Sequence, residues 1–310
     1  MPTLICLVGP PGSGKSTLAK TEFASHVYVN QDSQGKQGQW EVFETALEAR
    51  KDVVVDRMGF NKEQRGRYIG PARKAGYDVK IVVLHVPREV CLARCLQREG
   101  HETIKDEVNA NSALTTFFTK YERPTSEEGE LDFRYPLASG RQTDVVIVDI
   151  DGTIANTDHR LHFMKGPKKN WPGFFGAMDK DEPNDWCLEI VRSLIGAGRY
   201  NKIIFCSGRP DNYREITENW LWRECDLVNQ EYLDEAESDD EKWGHDTYEH
   251  LFMRPFNDSR KDDLIKEIIL DFEILARGYK PIFAIDDRTQ VVELWRRRGL
   301  VCLQCEKGDF

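Results

Sequence analysis

The sequence predicts two α/β domains, each built around a mainly parallel sheet. Short β-branched runs alternate with stretches of helical periodicity, which is the pattern of repeated strand–helix units. The chain has 310 residues, enough for two domains at about 150 residues each. Residues 123–143 contain prolines and glycines that interrupt the pattern and predict a linker with one short ordered piece. We therefore place the domains at residues 1–140 and 141–310.

The charge is unevenly distributed between these halves. Residues 1–140 hold 19 basic and 19 acidic side chains, and the remainder carries the whole net charge of −10. A broad basic surface for duplex DNA is therefore not expected, although a local pocket for one strand end stays open. Apolar runs are too short to span a bilayer, and the eight cysteines lack a secretory context. These features predict a cytoplasmic protein without a membrane partner.

The first domain begins with a phosphate-binding loop. Residues 9–17, GPPGSGKST, match the GxxxxGK[ST] pattern between a strand predicted at residues 3–8 and a helix predicted at 15–23. Backbone N–H groups of such a loop point into one concavity, the lysine reaches the β- and γ-phosphates and the hydroxyl holds Mg²⁺. A glycine-rich turn that arose by chance is the alternative. The predicted nucleotide-binding residues are Gly9, Gly12, Ser13, Gly14, Lys15, Ser16 and Thr17.

Two aspartates and two arginines accompany this loop. Asp32 and Asp56 end strand candidates, where a carboxylate can orient and deprotonate an attacking hydroxyl. A strand-end turn or a helix cap is the alternative for each aspartate. Arg94 and Arg98 lie one helical turn apart and can clamp phosphate oxygens. A solvated basic helix face is the alternative for that pair.

A second constellation opens the second domain. Asp149 and Asp151 belong to the run DIDGT, which closes a strand predicted at residues 144–150. The first carboxylate can attack phosphorus to form an aspartyl-phosphate, and the second can serve as acid and base. Ser207, Gly208 and Arg209 follow another strand, and Lys266 supplies a cation from a predicted helix. The pair Asp286-Asp287 ends a third strand and offers oxygen ligands to Mg²⁺.

Together, DxDGT, Ser207-Gly-Arg, Lys266 and Asp286-Asp287 resemble the haloacid-dehalogenase phosphatase superfamily. The order of a P-loop before such a domain, the total length and the last fifty or so residues resemble the bifunctional phage-type polynucleotide kinase/3′-phosphatases. The resemblance implies a P-loop kinase fold followed by a haloacid-dehalogenase-like fold with a small cap. It also implies ATP and Mg²⁺ as cofactors and a bacteriophage origin, in which case the protein would lie in the host cytoplasm.

The resemblance also assigns roles to residues. In the kinase it implies Asp32 as general base, Lys15 and Arg98 as further catalytic groups, Arg94 and Arg98 as phosphate clamps, and Asp56 on the acceptor side. In the phosphatase it implies Asp149 as nucleophile, Asp151 as acid and base, an Asp262/Lys266 pair, and Ser207, Gly208 and Arg209 around the substrate. The expected metal ligands are Ser16 in the kinase and Asp149, Asp151, Asp286 and Asp287 in the phosphatase, with Asp287 preferred over Asp286.

Two positions depart from the family. An acceptor-binding arginine of the family corresponds to Gly35 here, with Lys36 beside it as the remaining cation, which leaves the acceptor preference open. Residues 158–171 mix cations with aromatic side chains. Their rings could stack a terminal base while Lys168 and Lys169 meet phosphates, or the segment could be a small cap packed on the site.

Three classes of function follow from these residues. The first is an end-healing enzyme that phosphorylates 5′-OH ends and removes 3′-phosphate or 2′,3′-cyclic phosphate from RNA or DNA. The second is a kinase/phosphatase fusion for free nucleotides or metabolites, which the acidic second half suits. The third, a binding protein with a degenerate loop, is disfavoured because Lys15, Ser16, Asp149 and Asp151 are intact. A ligase of the same pathway and a second copy of the chain are the further partners expected.

Overall fold

The computed structural model describes residues 1–97, 106–138, 140, 142–197, 202–225 and 250–308. The chain forms two compact units. Unit 1 consists of Met1–Arg141 and Asp271–Gly278, and unit 2 consists of Gln142–Leu270 and Tyr279–Phe310. Each unit contains a five-stranded parallel sheet with helices between the strands, which confirms the predicted fold class.

Unit 1 is built around a parallel sheet, and helices connect its successive strands. Its strands are β1 (Thr3–Val8), β2 (Val27–Val29), β3 (Val53–Asp56), β4 (Asp78–Leu84) and β5 (Glu130–Arg134), and its helices are α1 (Lys15–Thr21), α2 (Gln31–Glu48), α3 (Lys62–Lys74), α4 (Arg88–Leu96) and α5 (Glu107–Lys120). The strand order is β2-β3-β1-β4-β5. The apolar strands β1 and β3 are therefore central neighbours, and their carboxyl ends meet where the phosphate-binding loop begins.

Two elements of unit 1 differ from the sequence prediction. The strand expected to end at Asp32 ends at Val29, and the Asn30 side chain caps α2 by accepting a hydrogen bond from the Ser33 N–H at 3.0 Å. Helix α2 itself was not predicted, because it begins with glutamines and glycines and lacks apolar periodicity. The short ordered piece expected within the linker at 123–143 is β5, a charged edge strand that pairs with β4.

A short segment from the second half of the chain completes unit 1. Phe272 is fully buried, and its ring lies edge-on to those of Phe117 and Tyr121, with centroids 5.7 and 5.0 Å away. Arg123 donates a hydrogen bond to Asp271 at 2.9 Å. Unit 1 is therefore not one contiguous stretch, and a single boundary near residue 140 leaves out this return of the chain.

Unit 2 repeats the parallel arrangement with a different set of insertions. Its strands are β6 (Thr143–Val148), β7 (Ala155–Asn156), β8 (Glu182–Pro183), β9 (Lys202–Pro210), β10 (Leu251–Arg254), β11 (Tyr279–Arg288) and β12 (Val301–Gly308), and its helices are α6 (Trp171–Gly176), α7 (Asp185–Gly196), α8 (Arg214–Cys225), α9 (Asp262–Ile269) and α10 (Thr289–Arg297). The main sheet has the order β10-β9-β6-β11-β12, and β7 pairs with β8 in antiparallel fashion. Short 3-10 turns span Asp158–Met164, Met178–Lys180 and Asp211–Tyr213.

The sheet order of unit 2 gathers the predicted phosphatase residues at one edge. The central strand β6 lies between β9 and β11, so the carboxyl ends of these three strands are adjacent. These ends carry the DIDGT, SGR and DDR runs. Helices α7 and α8 and strand β10 were not predicted from the sequence. None of the described helices is both long enough and apolar enough to cross a membrane.

Candidate active sites

The loop between β1 and α1 forms a compact cradle in unit 1. Gly12 has a φ of 82° and lies against the backbone of Cys91 on α4, so a Cβ at this position would overlap it. Only glycine combines that backbone conformation with so close an approach. The buried Lys15 ammonium donates hydrogen bonds to the carbonyls of Gly9 and Pro10, each at 2.8 Å. The lysine is thus fastened to the loop itself.

Asp56, the last residue of β3, is the centre of a buried hydrogen-bond cluster beside this loop. Its Oδ2 accepts from the Ser16 hydroxyl at 2.6 Å, the Tyr28 hydroxyl at 2.7 Å and the Asn30 amide at 3.2 Å. Burial and the neighbouring Asp56 raise the pKa of Tyr28, so its hydroxyl remains a donor. The structure therefore joins Asp56 directly to Ser16, the predicted Mg²⁺ ligand.

Asp32 is exposed in the first turn of α2, and the side chain of Gln34 in the same turn makes two hydrogen bonds to the backbone before it. The Gln34 side chain accepts from the Asn30 N–H at 3.0 Å and donates to a β2 carbonyl at 2.8 Å. Immediately afterwards α2 is broken at Gly35, whose φ is 75° and whose Cβ position has no other atom within 4 Å. Lys36 follows the break and is exposed. Asp32 and Lys36 are therefore both exposed beside a turn that the Gln34 side chain holds by two hydrogen bonds.

Three further predicted nucleotide contacts, Arg94, Ser13 and Thr17, lie in or beside the cradle. Arg94 on α4 donates to the Gly12 carbonyl at 3.4 Å. Ser13 is buried with its hydroxyl 3.5 Å from the Lys15 ammonium, whereas Thr17 is exposed on α1. Arg98 lies outside the described residues.

In unit 2, Lys266 on α9 is a buried cation surrounded by carboxylates. Its ammonium donates to Asp149 at 2.6 Å and to Asp286 at 2.9 Å, and an oxygen of Asp262 lies 3.8 Å away. Burial by itself lowers the pKa of Lys266, but these three carboxylates raise it well above its ordinary value. Lys266 therefore stays protonated and places its positive charge beside Asp149, the predicted nucleophile.

Three aspartates of this site form a group suited to a divalent cation. Asp149, Asp286 and Asp287 each offer an oxygen within 4.8 Å of the others. Burial, followed by the charge of Asp286, raises the pKa of Asp287 to about 6. Gly152 and Gly308 approach the Asp287 carboxylate so closely that a Cβ on either would overlap it. Oxygen ligands that repel one another in a fixed cage fit Mg²⁺ chemically.

The carboxylate of Asp151 has a different environment and lies outside the three-aspartate group that the described residues form. Its Oδ1 accepts from Arg160 at 2.6 Å and from two nitrogens of Arg209 at 2.9 and 2.5 Å. Burial raises the pKa of Asp151, but the two guanidinium groups outweigh burial and hold it well below its ordinary value. The side chain of Asp151 is thus paired with two arginines, and its predicted role as a metal ligand stays a prediction.

A further carboxylate, Asp181, holds both arginines from the opposite side. It accepts from Arg160 at 2.6 and 2.7 Å, from Arg209 at 2.8 Å and from the His159 ring at 2.8 Å. The buried Trp220 on α8 donates to the Asp181 carbonyl at 2.8 Å. Sequence reasoning gave Arg160 no role of its own within residues 158–171 and missed Asp181, because neither belongs to a motif.

Residues 143–310, more than half of the chain, match the family described as the polynucleotide kinase PNKP phosphatase domain. The chain belongs to this family. Residues 4–124 match the AAA domain family. The family resemblance drawn from the sequence is confirmed, and the chain carries a P-loop kinase domain followed by a PNKP-type phosphatase domain.

Two curated relatives and one solved complex show how far the likeness extends. A protein named transcription factor bHLH140, from Arabidopsis thaliana, is 32% identical over 139 residues, 41% of this chain and 15% of that protein. The bifunctional polynucleotide phosphatase/kinase of Schizosaccharomyces pombe is 30% identical over 135 residues, 41% of this chain and 31% of that protein. The chain thus spans less than a third of either relative. A chain of the solved Pnkp1/Rnl/Hen1 complex aligns over 100% of this chain and 98% of its own length, with 26% identity and a TM-score of 0.38.

Ser207 and Gly208 complete the rim of the PNKP-type site. The buried Ser207 hydroxyl accepts from the Arg209 N–H at 3.1 Å. Gly208 lies so close to the Asp262 carboxylate that a Cβ would overlap it. Asp262 in turn accepts from Arg254 at 3.1 Å. Any larger residue at position 208 would therefore push Asp262 away from Lys266.

The PNKP-type site opens into a cavity of about 550 Å³, within the range of pockets that bind small ligands. Asp149 and Asp151 lie on its wall together with aromatic side chains from α6 and the turn before α8. Trp171 belongs to the segment for which the sequence left two interpretations, and it lines this cavity. Lys169 stands with its ammonium 5.6 Å from the Trp171 ring.

Proposed function

We propose that this chain is a bifunctional end-healing enzyme. Residues 1–140 would transfer the ATP γ-phosphate to a 5′-OH polynucleotide end, and residues 141–310 would hydrolyse a 3′-phosphate end, or a 2′,3′-cyclic phosphate. The observation that carries this proposal is the Asp149–Lys266 site in a chain of the PNKP phosphatase family that also holds a complete phosphate cradle. The segment Asp271–Gly278 counts with the kinase unit.

In the kinase, the cradle and Lys15 would hold the ATP phosphates while Arg94 balances charge at the rim. Ser16 and Asp56, bonded at 2.6 Å, would hold Mg²⁺, which neutralises phosphate charge. Asp32 would accept the proton of the attacking 5′-OH from its fastened turn. Its exposure suits a base that must meet the end of a large substrate.

In the phosphatase, the Asp149 oxygen not bonded to Lys266 would attack phosphorus, and the bond to the 3′-oxygen would break. Because the two guanidinium groups hold Asp151 ionised, it would first take up a proton from solvent and then deliver it to that oxygen, and the guanidinium groups would stabilise the carboxylate that results. The same carboxylate would then take a proton from the water that hydrolyses the aspartyl-phosphate. A Mg²⁺ ion held by Asp149, Asp286 and Asp287 would offset their charge and that of the phosphate.

RNA or DNA strand ends are the proposed substrates, since the matched family is named for polynucleotides. A 5′-phosphate and a 3′-hydroxyl are the groups that ligation joins, so a ligase is the proposed consumer of the product. A second copy of the chain is a further proposed partner. The competing function, a kinase/phosphatase for free nucleotides, is favoured by the acidic second half of the chain.

The test uses two oligonucleotides with Mg²⁺. Labelled ATP should phosphorylate a 5′-OH oligonucleotide, and a 3′-phosphorylated one should release phosphate without ATP. Lys15→Ala should remove only the first activity and Asp149→Asn only the second. Reaction with mononucleotides but with neither oligonucleotide would support the competing function, and loss of both activities from one substitution would contradict two separate sites.

A further inference from the structure

The cavity above Asp149 and Asp151 contains a run of aromatic rings. Phe175 lies nearly parallel to Trp171, with centroids 5.5 Å apart, and its ring centroid is 5.6 Å from that of Tyr213. All three residues line the cavity together with the two catalytic aspartates. A phosphate attacked by Asp149 would therefore bring its nucleoside into the space that these rings border.

A further aromatic side chain lines the cavity from the loop between β10 and α9. Phe256 keeps 61% of its surface exposed. The loop that carries Phe256 is held by hydrogen bonds, because Arg254 donates to the carbonyls of Asp258 and Arg260 at 3.0 and 2.7 Å. The residue after Phe256 is Asn257, which adopts a φ of 65°, a conformation that asparagine tolerates better than most residues.

Net charge gives this cavity little attraction for a polyanion. Four carboxylates and three guanidinium groups line it: Asp149, Asp151, Asp258, Asp262, Arg254, Arg260 and Arg288. The arginines are also engaged with the acids, as in the pair of Arg260 with Asp258 at 2.6 Å. Affinity for a strand end must then come largely from something other than charge. Base–aromatic stacking supplies such affinity and tolerates any base, because every base has a π-face.

From this geometry we infer that the cavity is a binding site for the terminal nucleobase of a single-stranded 3′-phosphate end. The base stacks on the aromatic residues Trp171, Phe175, Tyr213 and Phe256 while its 3′-phosphate meets Asp149. A base held on these rings has left the stack of a duplex, so paired 3′ ends react more slowly than unpaired ones. This inference rests on the proposed phosphatase function and adds the class of end that it accepts.

The test measures phosphate release from short 3′-phosphorylated oligonucleotides by the full chain. Phe175→Ala and Phe256→Ala should each raise KM for a single-stranded end by about 5- to 150-fold, the range of base–aromatic stacking, with kcat little changed. An oligonucleotide whose terminal nucleotide lacks its base should show a similar loss with the wild type and no further loss with the variants. Trp186→Ala is the matched control, because Trp186 on α7 is 54% exposed and does not line the cavity.

The results distinguish a failure of the stacking site from a failure of the proposed polynucleotide phosphatase function. Normal hydrolysis by the wild type, together with unchanged KM in Phe256→Ala or equal KM for base-bearing and base-free ends, overturns the stacking site alone. No phosphate release from any oligonucleotide, with release from a small phosphate ester, overturns the polynucleotide function and the inference together. If Phe175→Ala lowers the melting temperature, the KM of Phe256→Ala is the result that tests the stacking site, since truncation of the exposed Phe256 removes little packing.

Discussion

Asp181 joins two buried arginines of the phosphatase unit, although no motif contains it. Its carboxylate is buried and accepts four hydrogen bonds from Arg160, Arg209 and His159. Asp181→Ala would leave two buried guanidinium groups with Asp151 as their remaining carboxylate in this network. Asp181→Asn would keep the shape and one acceptor oxygen but remove the charge.

The magnitudes follow from the burial of this network. Removing one partner of a buried ion pair costs about 3–5 kcal/mol in the free energy of unfolding, and we expect this loss for Asp181→Ala. Asp181→Asn should cost about 1.5–3 kcal/mol, the value of one hydrogen bond to a charged group. Because Asp181 fixes the arginines that hold Asp151, displacement by an ångström should lower phosphatase kcat about 100-fold.

Urea denaturation and the two oligonucleotide assays measure these effects together. Asp179→Asn is the matched control, since Asp179 is exposed in the same short turn and should change stability by less than about 0.5 kcal/mol. Kinase activity should persist in Asp181→Asn, because this network lies wholly in unit 2. Wild-type stability and wild-type phosphatase rate in Asp181→Asn would refute a positioning role for Asp181.

Three further predictions concern pH, metal and packing. Because the arginines lower the pKa of Asp151, its pairing stabilises the folded protein above pH 3.8, the ordinary pKa of aspartate, and this stabilisation is lost as the pH falls further. Asp151→Asn should therefore reduce the loss of folding stability at acid pH. An unchanged loss would contradict this prediction. Burial and Asp286 raise the pKa of Asp287 to about 6, so Mg²⁺ must displace a proton from it at lower pH. Below pH 6, a higher Mg²⁺ concentration should therefore be needed to reach half of the increase in melting temperature. Asp287→Asn should abolish this pH dependence. Phe272→Ala should cost about 3–5 kcal/mol by leaving a cavity in unit 1, seen as loss of kinase activity at lower temperature than in the wild type; Phe256→Ala is the exposed control, and equal thermal inactivation of both would contradict the packing role.

Local motifs account for what the sequence revealed. The cradle and the DIDGT run encode their chemistry within a few consecutive residues, so spacing alone places Lys15 with Ser16 and Asp149 near Asp151. The metal group also follows from strand ends, because Asp286 and Asp287 end a strand that neighbours β6. Parallel strands bring such ends together without further information.

The remainder depends on convergence in space. Arg160 and Asp181 lie in 3-10 turns and short connections without any period, and only the folded chain joins them to Asp151. The bond from Ser16 to Asp56 likewise links residues forty positions apart. Helix α2 was missed because its first half is polar and contains Gly35, so its burial is set by tertiary contacts instead of by an apolar stripe.

The return of Asp271–Gly278 to unit 1 limits how this protein can be divided. A fragment that stops near residue 140 would lack Phe272 and expose the apolar surface it covers, while the complementary fragment would display the same ring without its site. Exchange of either activity with a homologue by one crossover would break the same packing. The two proposed activities therefore cannot be separated by one cut near residue 140 without breaking this packing, even though each unit has its own sheet.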